Sequence, residues 1–172
     1  MNSRRKFIRT SSAALAGAGM FGSMAWDTVA QSKTSVAQSD KVNVGLIGTK
    51  GMGWSDLQSF MKHPEVNVVA LCDVDENVMA GRVAELAKSN IKVKTYGDYR
   101  KLLENKDIDV VIIGTPDHWH CLQMVDACAA GKDVYVEKPI GNSIAECNAM
   151  VSAQKRYNKA VQVGQWQRSM PH

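Results

Sequence analysis

Six short runs rich in β-branched residues recur along this chain, each parted from the next by a stretch of helical period, and no other feature restricts the fold as much. The runs are "KVNVGLIG", beginning at Lys41, then "EVNVVALCD", "IKVKTYG", "DIDVVIIGT", "KDVYVEKP" and "KAVQVGQ". Between them apolar residues return every three or four positions, the spacing of one helix face. Leu57, Phe60 and Met61 form the first such face, stopped by Pro64. Val78, Ala80, Val83, Ala84 and Ala87 form the second, and a short third helix starts at a capping Asp98. The fourth, about 118–130, turns Cys121, Met124, Val125 and Cys128 inward and stops at Gly131. The fifth, capped by Ser143, is expected to bury Ile144, Cys147, Met150 and Val151.

Strands that are almost continuously apolar, alternating with amphipathic helices, make a parallel sheet covered on both faces. Six of them in two βαβαβ halves predict an α/β, doubly wound sheet of the dinucleotide-binding type, with spatial order 3-2-1-4-5-6. Strands one and four are then neighbours whose connections leave in opposite directions, and their C-terminal ends open a crevice. Three loops rich in reactive side chains meet there: "GTKGMGW", "GTPDHWH" and "EKPIGN".

The first loop carries Gly48, Gly51 and Gly53, which permit a tight turn and let backbone N–H groups approach a pyrophosphate at a helix N-terminus. Lys50 stands where the second glycine of G-x-G-x-x-G belongs, so its side chain must point away from the phosphates or reach round to meet them. Asp73, 20 residues past Gly53, ends the second strand. A carboxylate there accepts from the adenosine ribose hydroxyls and repels a 2′-phosphate, which favours NAD over NADP. Asp75 reads as the cap of the next helix.

The second loop crowds Thr115, Asp117, His118, His120 and Cys121 together. In a helix beginning near Asp117 or His118, the two histidines lie roughly 200° apart and do not share a metal. No metal site is therefore expected, and Pro116 with Trp119 supplies an apolar wall beside the nicotinamide and its ribose. In the third loop Lys138 ends the fifth strand, facing the same crevice. A lysine there takes or stabilises a hydroxyl proton during hydride transfer, or is a surface lysine partnered with Glu137.

Residues 1–30 are expected to be a signal rather than part of the domain. "SRRKFI" followed by a short Ala- and Gly-rich run has the form of a twin-arginine export signal, and that run is too short for a lasting membrane anchor. Residues 31–40 are polar and patternless and read as linker, leaving 41–172 as the dinucleotide-binding domain. The first 30 residues hold four basic groups against Asp27, three of the chain's four net positive charges. The near-neutral remainder argues against nucleic acid as a partner. Cys72, Cys121, Cys128 and Cys147 form no CxxC pair and read as buried free thiols.

Taken together, "GLIGTKGMG", "LCDVD", "TPDHWH", "GKDVYVEKP" and "VQVGQWQRS" resemble the Gfo/Idh/MocA superfamily of oxidoreductases, from Lys41 to the C-terminus. By that resemblance Gly48, Gly51 and Gly53 meet the pyrophosphate and Asp73 the adenosine ribose. Thr115, Pro116 and His118 lie along the cofactor with Glu137, Lys138 is the catalytic group between nicotinamide and substrate, and Gln165 to Arg168 close over the nicotinamide. The resemblance implies NAD and sugar, polyol or related substrates. It also implies a second α/β domain with most of the substrate pocket, so this chain is expected to be a fragment inactive alone. It points to the exported, periplasmic branch, which includes NAD-dependent glycosidases, and fixes no oligomeric state. Three readings stay open: part of an exported oxidoreductase, part of an NAD-dependent glycosidase, or a stand-alone nucleotide-binding module. Val161, Val163 and Trp166 count against the last, as apolar surface wanting a partner.

Overall fold

The computed structural model describes residues 40–169. The signal expected over 1–30, and all of the linker except Asp40, lie outside them. Strands β1 (Val42–Ile47), β2 (Val66–Cys72), β3 (Lys94–Tyr96), β4 (Val110–Ile113), β5 (Asp133–Glu137) and β6 (Val161–Gly164) coincide with the six apolar runs. They pair in parallel throughout, in the order β3-β2-β1-β4-β5-β6 that the alternation predicts. Helices α1 (Gly51–Phe60), α2 (Glu76–Ala87), α3 (Tyr99–Leu103), α4 (His120–Ala129) and α5 (Ile144–Tyr157) fill the connections. None of them is long and apolar enough to cross a membrane.

Alternate residues of each strand feed two cores, one on each face of the sheet. Val44, Leu46, Val68, Leu71 and Ile112 pack with Trp54 and Leu57 of α1 and Leu86 of α2. Ile47, Cys72, Val111, Ile113 and Val136 pack with Leu102 of α3, Met124 and Cys128 of α4 and Met150 of α5. Burial on both faces is why these strands carry so few polar residues.

Local chemistry sets the helix ends. The Asp75 side chain accepts from the N–H groups of Asn77 and Val78, Asp98 accepts from Arg100, and Ser143 from Glu146. Gly131 follows α4 with a φ of 80°, where a side chain would be strained.

Two helix faces differ from the sequence reading. In α2 the buried or half-buried positions are Val78, Met79, Val83 and Leu86, while Ala80, Ala84 and Ala87 face solvent. Larger side chains remove more apolar area from water, so they, not the alanine stripe, decide the inward face. In α5 the inward line is Cys147, Met150 and Ala153, leaving Ile144 82% and Val151 49% exposed. Ile144 belongs to the first turn, past the edge of the core, and Val151 lies on the outer side of the helix. The fourth helix is also shorter than expected: Asp117–Trp119 form a 3-10 turn and α4 proper begins at His120.

Candidate functional site

The sheet order brings the loop after β1 against the loop after β4, and three glycines form the contact. A Cβ on Gly48 would lie 2.8 Å from the Gly114 carbonyl and the Thr115 nitrogen, and the Gly48 φ is 87°. A Cβ on Gly114 would collide with the Gly53 backbone, and one on Gly53 would collide with the Gly48 carbonyl oxygen and crowd Gly114. The first turn of α1 is thereby seated on β4, with backbone rather than side chains at the mouth of the crevice. Gly51, at the start of α1, is exposed and meets no neighbour in the space its side chain would fill.

A single carboxylate fixes the first loop to the end of β2. Asp73 Oδ2 accepts from the Thr49 N–H at 2.7 Å and the Thr49 hydroxyl at 2.8 Å, and Oδ1 accepts from the Asp75 N–H at 3.0 Å. Burial alone would push the Asp73 pKa up. The hydrogen bonds from Asp75 and Thr49 outweigh that and hold it below the usual carboxylate value. On the other side of the loop Arg82 donates to the Thr49 carbonyl at 3.1 Å, pairs with Glu85 and lies over the Trp54 ring.

These loops enclose a pocket of about 520 Å³. Gly48, Lys50, Asp73 and Val74 line it from the first half of the sheet, and Gly114, Thr115, Pro116, Trp119 and Gln123 from the second. Gly97 to Arg100 close its far wall. Tyr99 is itself fixed, its hydroxyl donating to Asp126 at 2.8 Å and its ring edge-on to Trp119. Lys50, exposed, borders the pocket that holds Asp73. Pro116 and Trp119 form an apolar wall of the same pocket, across from Asp73.

Of the two histidines, His118 is exposed and close to Asp117. His120 is 1% exposed, with Nε2 2.7 Å from the Thr115 carbonyl oxygen and Nδ1 2.7 Å from that of Pro139. The Thr115 hydroxyl donates to Gln123, also on α4. Among the described residues no three His, Cys, Asp or Glu side chains converge as metal ligands.

Lys138 does not line the Asp73 pocket. It is exposed at the end of β5 and shares a second pocket, of about 490 Å³, with Gly164, Gln165, Trp166, Gln167 and Arg168. Among the described residues no ion pair joins it to Glu137. Glu137 instead turns its carboxylate inward, beneath Gly164 and beside Asp56 of α1. Burial first, then the nearby Glu137, raises the Asp56 pKa to about 7. With no outside donor on Asp56 Oδ2 or Glu137 Oε1 among the described residues, a proton shared by the pair is the natural way to satisfy both.

The sequence-expected residues therefore divide. Gly48, Asp73, Thr115 and Pro116 line one pocket, Lys138 and Gln165 the other, Gly53 and Glu137 lie beneath, and Gly51 and His118 are exposed. Thr49, Gly114, Tyr99, Gln123 and the bridging role of His120 were not expected. A glycine directly after the most apolar strand was a signal for Gly114; nothing local marked the rest.

Residues 42–165 match the model of the Gfo/Idh/MocA family, described as an oxidoreductase family with an NAD-binding Rossmann fold. A "Glycosyl hydrolase family 109 protein" of Shewanella sp. (strain W3-18-1) is 34% identical over 91% of this chain and 38% of its own length. Among solved structures, an NAD binding oxidoreductase from Klebsiella pneumoniae superposes with a TM-score of 0.68 at 28% identity, covering 76% of this chain and 36% of the other. Myo-inositol 2-dehydrogenase from Lactobacillus plantarum gives 0.69 at 26%, covering 76% and 38%. This chain spans little more than a third of the length of these relatives.

Proposed function

Because the chain belongs to the Gfo/Idh/MocA oxidoreductase family, with its NAD-binding Rossmann domain over residues 42–165, we propose that it holds NAD for hydride transfer to or from a sugar or polyol carbon. The observation that carries this is the convergence of the Gly48–Gly53–Gly114 cradle, Asp73 and Lys138 at neighbouring strand ends. The three glycines fit a dinucleotide-binding turn, because a Cβ at any of them would drive into neighbouring backbone and part the loop ends that border the pocket. Asp73 fits the adenosine ribose: three bonds occupy about four acceptor sites, leaving one for a hydroxyl. Its lowered pKa keeps it charged, which disfavours the 2′-phosphate of NADP.

When bound, the nicotinamide supplies the hydride acceptor. In this reading Thr115 and Pro116 lie along the cofactor, with His118 and Gln165 beside it and the buried Glu137 supporting the strand end from beneath, and Lys138 hydrogen-bonds the substrate hydroxyl. As the C–H bond gives up its hydride, Lys138 takes or steadies the O–H proton. Titration calorimetry of this chain tests the cofactor assignment. NAD⁺ should bind at least about tenfold more tightly than NADP⁺, and equal binding would sink the preference.

A second reading, favoured by the 34% identical glycosyl hydrolase relative, is that the sugar is oxidised transiently and the hydride returned. With the complete gene product, net NADH formation supports the dehydrogenase. Glycoside cleavage without net NADH supports the hydrolase. We also propose export by the twin-arginine route to the periplasm, motivated by "SRRKFI" and the Ala/Gly-rich run. A reporter fused after residue 40 should be exported, and changing Arg4 and Arg5 to Lys should retain it in the cytoplasm.

A further inference from the structure

Resting on the dinucleotide-binding reading, we infer that His120 is a positioning residue that couples the cofactor loop to Lys138. Its ring bridges two backbone carbonyls from different loops, Thr115 after β4 and Pro139 after β5, at 2.7 Å each. Thr115 lines the pocket that holds Asp73, and Pro139 directly follows Lys138. The ring is 1% exposed, so water is not available to replace either bond. A neutral imidazole has one N–H and serves one carbonyl at a time, whereas an imidazolium serves both.

Neighbouring contacts make the link stiff. Gln123, three residues on in α4, receives the Thr115 hydroxyl at 2.7 Å, so the first turn of α4 grips Thr115 by main chain and side chain together. β4 and β5 are hydrogen-bonded neighbours up to Ile113 and Val136, which leaves only short free segments before the two bridged carbonyls. Without the ring, each loop keeps its strand but loses its buried tie to the other, leaving the exposed contact of the Asn142 amide with Asp117 Oδ2 and the His118 N–H. Lys138 is exposed and has no ion pair among the described residues; its own N–H donates to Glu137 Oε2 at 3.2 Å, and the Pro139 tether ties that same segment to the cofactor loop. A hydride donor and a proton acceptor act together only when both are held to a fraction of an ångström.

The test compares the unsubstituted chain with His120→Phe, which keeps a ring and removes both ring nitrogens. Lysines are labelled by reductive ¹³C-methylation, and Lys138→Arg identifies the Lys138 signal. NAD⁺ affinity is measured by calorimetry on the same samples. Leu86→Ala, a buried truncation on the opposite face of the sheet, reports destabilisation alone. In the unsubstituted chain and Leu86→Ala, NAD⁺ should shift the Lys138 signal. In His120→Phe the affinity should stay within about threefold while the Lys138 shift falls by at least half, because Gly48 and Asp73 are untouched. A full Lys138 shift in His120→Phe, or an equal loss in Leu86→Ala, overturns the inference. Failure of NAD⁺ to bind the unsubstituted chain overturns the functional reading and this inference with it. Should the Phe variant not fold, His120→Gln, whose amide keeps one bond, is read by the same two criteria.

Discussion

Asp73, its partner Thr49 and the adjacent Lys50 show how much of the site rests on single side chains. Thr49 is fully buried, and its hydroxyl and N–H both point at one Asp73 oxygen. Thr49→Val keeps the shape and removes one of the two bonds. A stability loss of about 1 kcal/mol or more, read from a denaturant midpoint, is expected. NAD⁺ affinity should fall with it, since Asp73 is then held to the loop by the Thr49 N–H alone. Lys50 acts differently. Its backbone at the helix N-cap is extended (φ −109°, ψ 158°), so nothing there requires glycine. Lys50→Gly restores the G-x-G-x-x-G spacing yet should weaken NAD⁺ binding several-fold at low salt. The gap should close near 1 M salt, where the screening length falls to about 3 Å. Adenosine, which carries no phosphate, should bind both forms equally.

Elements meet in this protein by backbone contact and by the buried carboxylates Asp56 and Glu137. Gly114 presses β4 against the first turn of α1, so Gly114→Ala forces the two apart and should cost well over 1 kcal/mol while weakening NAD⁺ binding. Gly81, inside α2 with open space where its Cβ would go, is the counter-example. There the same substitution should stabilise by about 0.5–1 kcal/mol, as alanine restricts the unfolded chain and favours helix. Thermal melts of the two variants should move in opposite directions. The α1–β5 contact adds a pH dependence. Asp56 has a folded pKa of about 7 against an ordinary 3.8, so the folded state binds the extra proton between those values. Stability from this group is complete below about pH 4 and is lost as pH rises through 7. Asp56→Asn should flatten that slope and exceed the parent in Tm above pH 7.

The molecule as a whole should behave as a ligand-stabilised domain. NAD⁺ at about a hundred times its Kd is expected to add about 2.7 kcal/mol to unfolding, a rise in Tm that adenine alone should not reproduce. At this scale the sequence was most informative. Six apolar runs and five helical stretches determined the elements, and parallel strands buried on both faces left one strand order, which the structure has. The caps Asp75, Asp98 and Ser143 were readable too, because a cap is satisfied within three residues of itself. Inward faces were hardest to read where small side chains shared a helix with large ones, and the alanines of α2 misled for that reason. What tertiary structure alone decided lies between loops distant in the chain: Thr49 on Asp73, Gly53 against Gly114, Asp56 beside Glu137, and His120 bridging Thr115 and Pro139. Periodicity reports which way a side chain points from its own element. Which atoms it meets depends on the sheet order and twist that bring separate strand ends together, and those exist only once the chain has folded.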